Sequence, residues 1–144
     1  MLEFTVEGRP PKKDGAKSLW SSDEAEYVLK LREKAFQARS EIGLTDCFHG
    51  PVKLELKIFS PNILHRSHDY VSDLDTMIAG VFESIQPAHP SAPNNIIFQN
   101  KKEIQPNVPL VVIDDSQIVS VKAEKIKSDS TYYIVKIEPI QDYG

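Results

Sequence analysis

The chain has 144 residues and a formal net charge of −4, from 17 basic and 21 acidic side chains. That length suits one domain with a conventional core, and 40% apolar residues is ordinary globular usage. A single cysteine, Cys47, excludes a disulfide scaffold and a multi-cysteine zinc site, no apolar run approaches the ~18 residues of a membrane span, and net acidity argues against a generic polyanion binder. The start, MLEFTVEGRPPKK, holds no apolar signal core, so the cytoplasm is the expected compartment.

Residues 2–7 (LEFTVE) alternate apolar and polar, as a half-buried strand does. The loop GRPPKKDGAKS follows and carries Arg9, Lys12, Lys13 and Lys17. Ser21 with Glu24 forms a capping-box pattern that predicts a helix start. Val28, Leu31, Ala35, Ala38 and Ile42 then recur at helical spacing as one core-facing stripe, and Gly43 predicts the stop. Residues 52–59 (VKLELKIF) alternate strictly and predict a strand. After the polar connector 60–72, residues 73–85 (DLDTMIAGVFESI) predict a second helix, apolar on most sides and therefore well buried. Residues 87–109 hold five of the ten prolines and predict a long irregular loop, of the kind that is usually functional or disordered. PLVVIDD predicts a short apolar strand running into two carboxylates, and residues 117–127 and 131–139 predict a β-hairpin turning at SDS. The expected architecture is a single α/β domain, β-α-β-α-β-β, with a mixed sheet.

Two segments concentrate acid: Asp69, Asp73 and Asp75 in the first, Asp114 and Asp115 in the second. Each stands at the predicted end of an element, a common location of α/β active sites. Mg²⁺ takes oxygen ligands and typically one or two protein carboxylates plus substrate phosphate. It polarises a phosphoryl group and lowers the pKa of an attacking water. Several carboxylates gathered without a cation would repel and shift upward in pKa. The competing explanation is local: Ser72 with Asp75 fits a helix cap, acids in a first turn suit the helix dipole, and Asp114-Asp115-Ser116 is ordinary turn chemistry.

Other residues say less. His65 and His68 with Asp69 have transition-metal chemistry, but a solvated loop accounts for them as well. His49, His89 and Cys47 have no motif around them. Trp20 and Tyr27 near the basic loop have the shape to stack on bases, and equally the shape of core anchors. Walker, GxGxxG, GxSxG and HExxH patterns are missing, which removes the simplest nucleotide-binding, hydrolase and metalloprotease readings.

SDLDTMIAGVFESI followed by VVIDDSQIVSVKAEK resembles the RusA family of Holliday junction resolvases. There an Asp-Leu-Asp sequence opens a helix and an Asp-Asp sequence leads into a strand. The start is also similar: a strand, then Gly8, Pro10, Pro11, Lys12 and Lys13, then an amphipathic helix. The resemblance covers most of the chain except 87–109, and its strength lies in the order of the elements rather than in either acidic motif alone. It implies a small Mg²⁺-dependent (or Mn²⁺-dependent) endonuclease that nicks four-way DNA junctions symmetrically as a homodimer. It maps catalytic, metal-binding carboxylates onto Asp73, Asp75 and Asp115, with Asp114 as a further metal ligand. Arg9, Lys12, Lys13 and Lys17 are then the expected DNA contacts. Three positions depart from the family: Thr76 stands where it usually has Asn, Ala79 where a lysine is common, and 87–109 replaces a shorter connector.

A catalytically impaired relative that binds junctions or proteins is the alternative, motivated by Thr76, Ala79 and the net acidity. A hydrolase of small nucleotides has less support, because no phosphate-cradling glycine loop is present. With the five acids of the two segments set aside, the rest of the chain is net +1. Net acidity is therefore compatible with a weak, salt-sensitive DNA binder that depends on its metal.

Overall fold

A computed structural model describes residues 1–65, 69–92 and 94–140. Its elements run β1 (Leu2–Glu7), α1 (Ala25–Glu41), β2 (Val52–Ser60), α2 (Leu74–Ser84), β3 (Ile118–Lys127) and β4 (Tyr132–Pro139), with single-turn 3-10 helices at Ile96–Phe98, Lys102–Ile104 and Asp115–Gln117. Apart from the expected PLVVIDD strand, the β-α-β-α-β-β order holds, in a small α/β domain with a mixed sheet. Among the described residues the sheet has the order β1-β4-β2-β3. β4 is antiparallel to both neighbours, and β2 and β3 are parallel, joined through α2. No helix among the described residues is long and apolar enough to cross a membrane.

This topology corrects the expected hairpin. β3 and β4 follow each other in sequence, yet β2 lies between them and pairs with both. The SDS connection passes over the end of β2 instead of folding back on itself: the Ser128 amide donates to the Ser60 carbonyl at 3.1 Å. The reason is burial. Val52, Leu54, Leu56 and Ile58 are all 1% exposed or less, and such a strand is best placed with a partner on each side.

PLVVIDD is not a strand either. Leu110, Val111 and Val112 are buried consecutively, without a strand's alternation. The Val111 and Val112 amides donate to the Ile85 carbonyl at the end of α2, and Arg39 donates to the Leu110 carbonyl. Among the described residues, its sheet-like pairing is a single parallel bridge, Phe48 to Val112.

One face of the sheet is apolar. Leu2, Phe4 and Val6, the four β2 residues above, and Tyr133, Val135 and Ile137 pack with Leu31, Ala35 and Ala38 of α1 and Met77, Val81 and Ile85 from α2. The opposite face is charged, and the register places Glu3, Lys136, Glu55 and Lys122 in one cross-strand row of alternating sign. Opposite charges on directly paired positions favour this register.

α1 opens differently from its sequence pattern. Glu24 occupies the N-cap with no side-chain cap bond, so the Ser21–Glu24 box does not form. The Glu24 carboxylate instead accepts two bonds from Arg9, at 2.8 and 2.7 Å, and one from the Lys12 amide at 2.8 Å. The far end follows expectation. Gly43 has φ +73°, and bonds from Gly43 to Ser40 and from Leu44 to Arg39 close a Schellman turn. Ile42, expected on the buried stripe, is 54% exposed because it already lies in that turn.

Two arginines seven residues apart on α1 hold carbonyls within and just beyond the proline-rich segment. Arg32 is fully buried and makes five hydrogen bonds, all to main-chain carbonyls: Ser84, Gln86, Ile104, Gln105 and Val108. Burial pushes its guanidinium down to about 9, which still leaves it charged at neutral pH. Phe98 from the same segment packs with Leu19, Trp20, Ala25 and Val28 in a second small core. The described residues of the segment are therefore a packed flap on α1.

Candidate functional site

The N-terminus of α2 gathers the strongest constellation. Ser72 has φ +140°, a conformation L-residues rarely adopt, and such strain is concentrated at functional positions. The turn is locked from several sides. Ser72 Oγ lies 3.1 Å from Thr76 Oγ1, and the Thr76 hydroxyl donates to the Asp73 carbonyl at 2.9 Å. Lys125 Nζ, on β3, donates to the carbonyls of Ile63 and Ser72 and to the Tyr70 hydroxyl, at 2.9, 3.3 and 3.1 Å. Tyr70 in turn donates to Asp73 Oδ1 at 2.6 Å.

The result is a chain from Lys125 through Tyr70 to Asp73. The Asp73 carboxylate holds the Tyr70 phenol up at about 12, so it stays a donor across the physiological range. Asp73 is the N-cap residue of α2 and makes no side-chain cap bond, and Asp75 is in the first turn. Both carboxylates are exposed. The Ser72–Asp75 cap expected from sequence is replaced by the Ser72–Thr76 contact.

The basic loop is stapled to this helix. Gly80 is buried under it so closely that a β-carbon there would stand 1.8 Å from the Pro11 carbonyl oxygen. The Lys13 amide donates to the Thr76 carbonyl at 2.9 Å, one turn back along α2. Pro10-Pro11-Lys12-Lys13 is thus packed on the helix that Asp73-Leu74-Asp75 opens.

The four expected DNA contacts divide. Arg9 is committed to Glu24, and its guanidinium also covers the Tyr27 ring at 3.8 Å. Lys13 Nζ donates to the Lys17 carbonyl at 2.6 Å and lies 3.8 Å from Glu83. Lys12 is half-buried and Lys17 exposed. Arg9, Lys12 and Lys17 line a cleft of about 490 Å³ with Asp14, Asp23 and Glu24, so its charges are balanced. Trp20 is 4% exposed and presents no open face for a base, while half-buried Tyr27 has one face covered by Arg9.

Asp114 and Asp115 lie at the other end of α2. Asp114 caps the 3-10 turn Asp115–Gln117 in a capping box: its carboxylate accepts from the Ser116 amide, and the Gln117 side chain accepts from the Asp114 amide. The bond from Ser116 holds the Asp114 carboxyl below its ordinary range. The Asp115 amide donates to the Gln86 side chain at 2.8 Å, just beyond the helix C-terminus. α2 spans eleven residues, roughly 16 Å. No three of Asp73, Asp75, Asp114 and Asp115 bring ligand atoms within 4.8 Å of one another; among the described residues the group that does is Asp46, Cys47 and His49.

Of the weaker candidates, His65 is exposed and edge-on to Tyr70, while His68 lies outside the described residues. Sequence reasoning missed Lys125, Tyr70 and Gln117. Lys125 did carry a signal. It shares the strand period of Val121 and Ala123, so a charge falls on the face that should meet α2.

Comparison with protein-family models finds no match, and comparison with curated proteins finds none either.

Proposed function

We propose that this chain is a divalent-metal-dependent endonuclease of RusA type, cutting four-way DNA junctions as a homodimer. The observation that carries this reading is the unit at α2: exposed Asp73 and Asp75 on a strained turn, with the Pro-Pro-Lys-Lys loop fixed across the same helix. Two of the three parts of the sequence resemblance, the Pro-Pro-Lys-Lys start and the Asp-Leu-Asp helix, are distant in the chain and adjacent in space. Asp73 and Asp75 would hold Mg²⁺ or Mn²⁺, which uses few protein carboxylates and completes its shell with water and the scissile phosphate. The ion would polarise that phosphate and supply an activated water. Lys125 positions Asp73 through Tyr70, and Lys12 and Lys17 face the backbone of the DNA. A two-fold pair of subunits matches the approximate two-fold symmetry of a junction, one nick per site.

Asp115 is the open part of this scheme, because it is anchored beyond the opposite end of α2 from Asp73. That separation, with Ala79 where the family commonly has lysine, favours one second reading: a relative that binds junctions without cutting them. The two are separated by incubating a synthetic four-way junction with purified protein and Mg²⁺ or Mn²⁺, beside Asp75→Asn. Paired symmetric nicks in wild type, reduced at least about 100-fold in the variant, support the nuclease. Salt-sensitive gel shifts with intact strands in both metals would replace it by the binding-only reading.

A further inference from the structure

The loop between α1 and β2 carries a separate group of metal-competent side chains. Asp46, Cys47 and His49 each offer one ligand atom, and the three atoms lie within 4.8 Å of one another. His49 Nε2 is 2.7 Å from an Asp46 carboxylate oxygen and 4.0 Å from Cys47 Sγ. Cys47 is 5% exposed, while Asp46 and His49 are open to solvent. The loop is held on both flanks. It leaves α1 through the Schellman turn at Gly43. The Phe48 amide donates to the Val111 carbonyl at 2.8 Å, and Gln117 Nε2 donates to the carbonyls of Phe48 and Gly50 at 2.8 and 2.9 Å.

We propose that Asp46, Cys47 and His49 form a binding site for a borderline divalent transition metal of the Zn²⁺ class, with the remaining coordination position open to water. Thiolate, imidazole and carboxylate together suit Zn²⁺ or Co²⁺, whereas Mg²⁺ takes oxygen ligands. Metal–ligand bonds of about 2.0–2.3 Å in a tetrahedron set ligand atoms roughly 3.5 Å apart. The Cys47–His49 separation of 4.0 Å and the Asp46–His49 separation of 2.7 Å each need less than about 1 Å of side-chain movement to reach that spacing.

A Cys-His-Asp catalytic triad is the other meaning such a trio can have, and the geometry opposes it. In a triad the acid holds Nδ1 and leaves Nε2 to face the nucleophile. Here the carboxylate and the sulfur both face Nε2, which is convergence on a point between them. The site is independent of the α2 acids, though Gln117 ties its loop to the turn that bears Asp115.

The test is a Co²⁺ titration of the untagged full chain, followed by absorption spectroscopy. The chain has one cysteine, so a thiolate-to-cobalt charge-transfer band can arise from Cys47 alone. The expected result is a band that saturates at one equivalent, is abolished by Zn²⁺ and persists in excess Mg²⁺. Cys47→Ser removes it. His49→Ala, an exposed change, keeps the native circular dichroism spectrum and weakens Co²⁺ binding at least about tenfold. Wild-type protein that develops no thiolate-to-cobalt band overturns the proposal, as does a band that His49→Ala and Asp46→Asn leave unchanged. Metal bound by Asp73 and Asp75 gives no such band, so this outcome is read separately from nuclease activity.

Discussion

Gly80→Ala tests the contact that joins the basic loop to the acidic helix. In an isolated helix the change would stabilise by about 1 kcal/mol, because alanine has the higher propensity. Here the new β-carbon would meet the Pro11 carbonyl oxygen at 1.8 Å, the Pro11 carbonyl carbon at 2.4 Å and the Lys12 nitrogen at 2.9 Å. All three are backbone atoms in a segment stiffened by two prolines, so the strain cannot be relieved by rotating a side chain. The first contact is about 1.6 Å short of ordinary van der Waals separation. Overpacking of this kind costs about 3 kcal/mol, and retreat of the loop loses the Lys13–Thr76 bond, worth about 1 kcal/mol. Set against the gain in propensity, the net loss is about 3 kcal/mol, or roughly 6–12 °C in Tm for a chain of this size. Thermal and urea unfolding measure it. Ala79→Gly, one position away, is the control, since it forfeits propensity without touching the loop. A Gly80→Ala protein as stable as wild type would refute the seating of Pro11 on α2, and with it the spatial argument for the nuclease reading.

Two further outcomes follow from side chains whose partners sequence patterns do not reveal. Arg32→Met removes the donor of five carbonyl contacts and should cost about 4 kcal/mol, with hydrogen exchange rising across residues 87–109; unchanged protection there would show that the flap is held by other means. Glu24→Gln should cost about 1–2 kcal/mol at neutral pH, since it halves a bidentate pair with Arg9. Burial alone would push the Glu24 carboxyl up, but Arg9 and the Lys12 amide hold it below its ordinary 4.5. A depressed folded-state pKa means stability that is present above about 4.5 and lost as pH falls through the folded value, so the gap between wild type and variant should close in acid. A gap that stays constant down to about pH 3 would contradict that coupling.

The strict alternation of 52–58 and the stripe Val28, Leu31, Ala35, Ala38 made β2 and α1 legible, because one buried face imposes a period on its own residues. The same logic could not place β2 between β3 and β4. Pairing order depends on which strand most needs two neighbours, a comparison among elements that no single period contains. Arg32 and Arg39 were illegible for the opposite reason. Two charges on a helix look like a solvated face, and their burial is made possible by carbonyls supplied from residues 84–110. Glu24 shows how local and tertiary demands compete for one side chain. Its spacing from Ser21 suits a cap, but a guanidinium and an amide from the β1–α1 loop offer three charge-assisted bonds, and those win.

The acids at α2 carry the same lesson into the chemistry. Crowded carboxylates would require a cation to coexist, but Asp73 and Asp75 are not crowded in that sense. Both are exposed, both stand in the positive field of a helix N-terminus, and Asp73 accepts the Tyr70 hydroxyl that Lys125 supports. Nothing in their placement requires a cation, so repulsion among these groups is no argument for a resident ion. In the proposed enzyme the metal would then be recruited rather than stored. Two carboxylates would hold it loosely, the scissile phosphate would supply the oxygen ligand that the distant Asp115 does not, and metal and DNA would each raise the affinity for the other. A net acidic chain gains from that coupling in particular. Its balanced cleft gives little unspecific pull on a polyanion, so binding would be concentrated where a phosphate can complete the metal's shell.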